Sequence, residues 1–277
     1  MDRSGAERPQ PSADQSSGGV SVALLVDSHC HLDMLDDAEG ALAEARAEGV
    51  GSVVAVGIDV ASSRAVVELA ERTPGVYATV GLHPHDAARL DDALLAELAR
   101  LAASKKVVAV GECGLDYYRD RAPRDAQERA FVAQIDLARR LRLPLVVHVR
   151  DAGEDALRLL AQHAQGLCVI LHCFSQAADV TECNARGYFQ SYAGNMTFAN
   201  AADLRDAAAH TREDLLLVET DAPFLTPVPL RGKLNRPALV KHTAAALAAV
   251  RGWDAAKAAS VTTANARRAF ALDGAGS

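Results

Sequence analysis

The stretch VALLVDSHCHLDM, residues 22–34, decides how the chain is read. A short apolar run ends in H-x-H, with His29 and His31 either side of Cys30. Alternate side chains share one face of a strand, so both imidazoles can reach one point while Cys30 turns away. No glycine follows the run. An open doubly wound sheet usually carries a Gly-rich phosphate loop there. Its absence from DSHCHLDM favours a closed (β/α)8 barrel.

The same arrangement recurs along the chain. VYATVGLHPH (76–85) ends in His83 and His85, PLVVHV (144–149) contains His148, and CVILHC (168–173) contains His172. Glu112 ends VVAVGE (107–112), and Asp221 follows LLLVET (215–220). Strands are expected at 22–27, 52–57, 76–81, 107–111, 145–149, 168–172, 188–191 and 215–219. They are short, rich in Val, Ile or Leu, and mostly lack alternation, as parallel strands buried on both faces do. Helices are expected at 38–48, 61–72, 91–103, 124–141, 153–164, 176–186, 201–210 and 236–250, with a last one at 254–270. This α/β rhythm gives one barrel over 21–272, after a disordered tail at 1–20 and before a flexible end at 273–277. In such a barrel the C-terminal strand ends share one rim, so these residues would converge on one pocket.

Composition narrows the class. The 277 residues are 49% hydrophobic and 23% charged, as in globular proteins, and can bury a large core. A formal net charge of −7 argues against coating nucleic acid by bulk charge. The five cysteines include no C-x-x-C pair and are odd in number, which points to free thiols in a reducing compartment. No apolar stretch reaches the roughly 18 residues of a membrane span, and the first residues lack a secretory apolar core. A cytoplasmic protein with no membrane association and no obligate protein partner is expected.

Each pocket candidate has a plainer reading alone. His148 or His172 could be a hydrogen-bonded core histidine, and Glu112 or Asp221 a helix cap or salt-bridge partner. An acid ending a buried apolar run is nevertheless costly without a partner. Together the groups have the composition of a two-metal hydrolase site, in which cations about 3.5–4 Å apart ionise a water near neutral pH. His163, His210 and His242 fall in helices and are left as surface or packing residues.

The runs DSHCHLD, VGLHPHD, GECGLDYYRD, HVRDA, LHCFS, ETDAPFLTPVPLRGK and TTANARRAF together resemble the TatD family of metal-dependent hydrolases, within the amidohydrolase-like barrels. The resemblance covers residues 24–272. It implies two divalent cations (Mg, Mn or Zn) and a deoxyribonuclease, chiefly a 3′-to-5′ exonuclease, with some RNA and endonuclease activity. It implies that His29, His31, Glu112 and Asp221 hold one cation, that Glu112, His148 and His172 hold the other, and that Glu112 bridges. A metal-bridged hydroxide would then attack phosphorus, with Asp221 moving the proton. The H-P-H stretch would lie by the substrate, which makes His83 a phosphate or leaving-group contact.

The chain departs from the family pattern at Val149, in QSYAGNMTFANA (190–201), and at Arg236 before Pro237. None of these removes an expected ligand. From Ala222 to Trp253 there is no acidic residue, and Arg231, Lys233, Arg236, Lys241 and Arg251 lie in that stretch. Arg231 and Lys233, with Arg150, are the expected substrate contacts; a solvated loop, or an Arg150 ion pair with Asp151 or Asp155, is the plainer account. Tyr117 and Tyr118 either stack on a terminal base or pack under a loop. The other functions left open are hydrolysis of a small-molecule amide, ester or phosphotriester, hydrolysis of an aminoacyl-tRNA ester, and metal-dependent interaction without turnover.

Overall fold

The computed structural model describes residues 24–272; the segments expected to be disordered at 1–20 and flexible at 273–277 lie outside the described residues. Eight strands run in chain order: β1 (Leu25–Cys30), β2 (Val50–Val56), β3 (Val76–Val80), β4 (Val107–Asp116), β5 (Leu145–Arg150), β6 (Val169–Leu171), β7 (Phe189–Tyr192) and β8 (Leu216–Val218). Each pairs in parallel with the next. Helices α1 (Ala38–Ala47), α2 (Val60–Arg72), α3 (Asp92–Leu101), α4 (Arg124–Leu141), α5 (Gly153–His163), α6 (Val180–Arg186) and α7 (Ala202–His210) separate them. Helices α8 (Val240–Arg251) and α9 (Ala255–Phe270) follow β8. The result is a nearly closed TIM barrel.

Every strand sends a residue into one apolar layer: Val26, Val54, Tyr77, Val108, Val146, Ile170, Phe189 and Leu217. Phe270 and Leu272, at the end of α9, pack into the same layer. The N-terminal mouth is thus plugged with hydrocarbon, and polar chemistry is left to the opposite rim.

Local differences from the sequence reading have physical causes. Strand β4 runs five residues beyond the expected end, pairing with β5 as far as Asp116 and Arg150. Helix α8 begins at Val240 rather than 236, because Pro237 opens a separate 3-10 turn, Pro237–Leu239. A similar turn, Ala177–Asp179, precedes α6. Strand β1 lies about three residues later than expected, so His29 stands within it.

The barrel closes between its first and last strands mostly outside the regular ladder. Cys30 and Ala222 form a parallel bridge. His31 N–H donates to the Ala222 carbonyl at 2.8 Å, and Asp221 N–H to the His29 carbonyl at 2.9 Å. Below this seam, the Asp27 carboxyl accepts from Thr220 N–H at 2.8 Å and lies 2.6 Å from the Thr220 hydroxyl. Burial pushes the Asp27 carboxyl up to about 8, against the pull of both Thr220 hydrogen bonds. Replacing Asp27 by Ala leaves the buried Thr220 N–H without this acceptor. The expected loss is about 1–3 kcal/mol in urea unfolding, and an unchanged midpoint would free the seam from this residue.

Candidate metal centre

The pocket is built on Glu112, which is only 2% exposed. Glycines at 111 and 114 bracket it, with φ of 137° and 133°. A Cβ at Gly111 would lie 2.4 Å from the Val146 carbonyl oxygen, and one at Gly114 would lie 2.0 Å from that of His148. No other residue fits there, so β4 can press against β5 while its one long acidic side chain enters the pocket.

The two carboxylate oxygens of Glu112 face different groups. Oε2 lies 3.4 Å from His29 Nε2 and 3.7 Å from His31 Nε2. Those nitrogens also lie 3.9 and 3.4 Å from Asp221 Oδ1. Oε1 lies 2.9 Å from both His148 Nδ1 and His172 Nε2, and 3.4 Å from His83 Nε2. The rings of His29 and His172 stack with centroids 3.8 Å apart, joining the two halves. The structure therefore brings together all six residues expected as ligands. It also places His83 within the donor cluster itself, not out beside it.

The sequence reading missed an outer tier of carboxylates. Glu219 Oε1 lies 3.3 Å from His172 Nδ1 and accepts from Cys173 N–H at 2.9 Å. Asp116 Oδ2 lies 3.3 Å from His148 Nε2 and 2.9 Å from His85 Nε2. These acids fix the imidazoles from behind, as outer-shell carboxylates do in metal sites. The available signal was their position: Glu219 lies two residues before Asp221, and Asp116 lies four after Glu112. Asp116 was hidden because β4 runs on past its expected end.

The charge balance is that of a cation site. Burial opposes ionisation of Glu112, yet the surrounding His172, His83 and His148 hold it well below the usual carboxylate range. Burial lowers His29, and it lowers His83 to about 4, favouring the neutral ring that ligation needs; burial opposes protonation of His31, His148 and His172 too, but the neighbouring Asp221, Asp116 and Glu112 carboxylates raise them. Among the described residues, buried polar atoms without a hydrogen-bond partner include both ring nitrogens of His29, Nδ1 of His31, Oε2 of Glu112 and Oε2 of Glu219. Buried polar groups are rarely left so, and a gathering of them calls for an ion. Donor atoms of His29, His31 and Glu112 lie within 4.8 Å of one another, as do those of His83, Glu112 and His148, and those of His29, His172 and Glu219. The donor set fits a divalent metal bound by nitrogen and oxygen.

The expected substrate contacts fare differently. Arg150, Arg231 and Lys233 are exposed, and among the described residues no carboxylate pairs with them. The Arg150 guanidinium lies 3.9 Å over the Tyr118 ring, and that of Arg231 lies 4.1 Å over Phe198. Arg236 instead reaches Glu44 at 2.8 Å, and Lys241 reaches Glu48 at 2.5 Å. Arg251 donates to carbonyls of Ala208, Ala209 and Thr211. The cationic stretch after β8 therefore shrinks at the rim to Arg231 and Lys233. Tyr117 is tied down, its hydroxyl 3.1 Å from Asp155, whereas Tyr118 is 57% exposed.

A TIM barrel whose strand ends gather imidazoles round a buried carboxylate defines a metal-dependent hydrolase. Comparison with known proteins makes the class specific. Residues 26–271 match the family model described as TatD related DNase. The chain belongs to this family. It is 43% identical over 259 residues to a Mycobacterium tuberculosis protein named uncharacterized metal-dependent hydrolase TatD, covering 90% of this chain and 98% of that one. It is 35% identical to the 3'-5' ssDNA/RNA exonuclease TatD of Escherichia fergusonii, over 85% of this chain and 94% of the other. The crystal structure of YJJV, a TatD homolog from Escherichia coli, superposes with a TM-score of 0.85 at 29% identity, covering 91% of this chain and 99% of that one.

If Glu219 orients His172 for a cation, Glu219→Ala lowers divalent-metal affinity about 10–100-fold while the fold persists. Isothermal titration with Mn or Zn reads this directly. Native affinity in the variant would remove Glu219 from that role.

Proposed function

We propose that this hydrolase is a deoxyribonuclease that removes nucleotides from the 3′ end of single-stranded DNA and also accepts RNA. The observation that carries the reading is the division of donors across Glu112. In this reading His29, His31, Glu112 and Asp221 would hold one divalent cation, of the Mg, Mn or Zn class. Glu112, His148 and His172 would hold a second. Paired cations, when bound, supply Lewis acidity at a phosphate oxygen and a water ionised near neutral pH.

The chain's own groups supply the remainder. Burial opposes ionisation of the Asp221 carboxylate, but His31 and His172 hold it below the ordinary range, so it stands ionised at neutral pH with an oxygen free of any proton. It takes that proton from the attacking water and returns it to the leaving 3′-oxygen as the P–O bond breaks. His83 reaches a phosphate oxygen from the β3 side. Arg150, Arg231 and Lys233 stand free on the rim to neutralise backbone phosphates. The nuclease name of the Escherichia fergusonii relative supports the same substrate class.

Among the described residues, no helix is long and apolar enough to cross a membrane. All five cysteines are free, and Cys30, Cys113 and Cys183 are buried. Free thiols in this number suit the reducing cytoplasm, where we place the protein.

An end-labelled single-stranded oligonucleotide tests the proposal. Stepwise shortening from the 3′ end is expected with Mg, Mn or Zn and none with chelator. Glu112→Ala and Asp221→Ala are expected to abolish turnover with an unchanged circular dichroism spectrum. Near-normal rates in either variant, or full cleavage without divalent ions, would refute the assignment; hydrolysis of small amides or phosphotriesters alone would move the substrate class. Arg150→Ala is expected to raise KM for the oligonucleotide about tenfold and flatten its salt dependence, both readable from steady-state rates at several ionic strengths.

A further inference from the structure

Among the described residues, six large apolar side chains stand exposed: Leu24, Met34, Tyr118, Phe224, Val228 and Leu234. Leu24 precedes β1. The other five lie beyond strand ends on the pocket side: Met34 after β1, Tyr118 after β4, and Phe224, Val228 and Leu234 after β8. Single exposed apolar residues need no account, but a group gathered round one pocket marks a binding surface.

Phe224 stands beside the donors. Its ring is 50% exposed, with its centroid 6.0 Å from that of His31 at an interplanar angle of 70°. The backbone holds it there. Phe224 N–H donates to the Asp221 carbonyl at 2.8 Å. The buried Asn235 amide donates to the Phe224 carbonyl at 2.5 Å and to the Thr220 carbonyl at 2.9 Å. A phenyl ring pinned at a pocket mouth offers a flat apolar face and no hydrogen-bonding atom.

Across the mouth the chemistry changes. Strands β4 and β5 lie opposite the β8–β1 seam in an eight-membered ring. There the exposed Tyr118 ring lies under the guanidinium of Arg150 at 3.9 Å and near that of Arg119 at 5.5 Å. The β8 side of the pocket thus presents an apolar ring, with Arg231 and Lys233 further along the same loop, and the facing side presents guanidinium groups braced on an aromatic ring.

We propose that Phe224 is the stacking platform for the terminal base of a single strand, while Tyr118 and Arg150 hold the backbone across the mouth. The inference rests on the nuclease reading and assigns a residue to the terminal base. A base on Phe224 must offer a free face, which the interior of a duplex withholds. A phenyl face reads no hydrogen-bond pattern, so the platform accepts every base.

The test compares two 5′-labelled single-stranded oligothymidylates, one intact and one with an abasic 3′-terminal residue. On the intact strand, Phe224→Ala and Phe224→Leu are expected to lower kcat/KM about tenfold, mainly through KM, and Phe224→Trp to preserve it. Leu keeps apolar bulk but loses the ring face, so the pair separates stacking from packing. On the abasic strand the wild-type protein is expected to fall to the level of the variants, with no further cost from substitution. Equal losses on both strands, or a Phe224→Leu variant as good as wild type, overturn the platform alone. Failure of the wild-type protein to cleave either strand overturns the nuclease reading and the platform with it.

Discussion

The molecule is organised round one carboxylate that water scarcely reaches. Glu112 could not be buried alone, because an ionised acid in a dry interior is strongly disfavoured. It is tolerated because imidazoles approach it from β1, β3, β5 and β6. The same crowding imposes a demand on the scaffold. Side chains from residues 29 to 221 must meet within a few ångströms, and only a closed ring of parallel strands brings so many separate chain segments to one rim. The hydrocarbon plug under α9 and the glycines flanking Glu112 serve that convergence.

The order of strands and helices was legible because buried parallel strands leave short, unalternating runs of Val, Ile and Leu. The donors were legible because His and Glu are conspicuous where such runs end. What escaped had a physical reason too. Glu219 and Asp116 act on the far nitrogens of His172 and His148; their closeness in sequence to Asp221 and Glu112 marks them as candidates, but spacing does not distinguish an acid behind an imidazole from one beside a cation. Arg236 looked like a rim cation in a stretch without acids, but its partner, Glu44, comes from α1, far away in the chain. Linear charge patterns do not anticipate a partner contributed by another helix. His83 was expected beside the substrate because the family resemblance puts the H-P-H stretch there; only the fold separates its two histidines, turning His83 to Glu112 and His85 to Asp116.

Electrostatics divides the protein into scales. The chain carries a net negative charge, which keeps polyanions from adhering across its surface. The free guanidinium and ammonium groups at the rim act over a Debye length at most. An anionic ligand is therefore attracted only close to those groups. Such a distribution suits chemistry at a terminus better than retention along a lengthy polymer.

The seam between β1 and β8 has a consequence for how the protein comes into being. His29 emerges from the ribosome almost two hundred residues before Asp221, and the earlier strands can begin to assemble while the last is still unmade. Until Thr220 docks on Asp27 and Ala222 pairs with Cys30, the first and last donors have no fixed relation. The donor set is therefore complete only once the ring has closed.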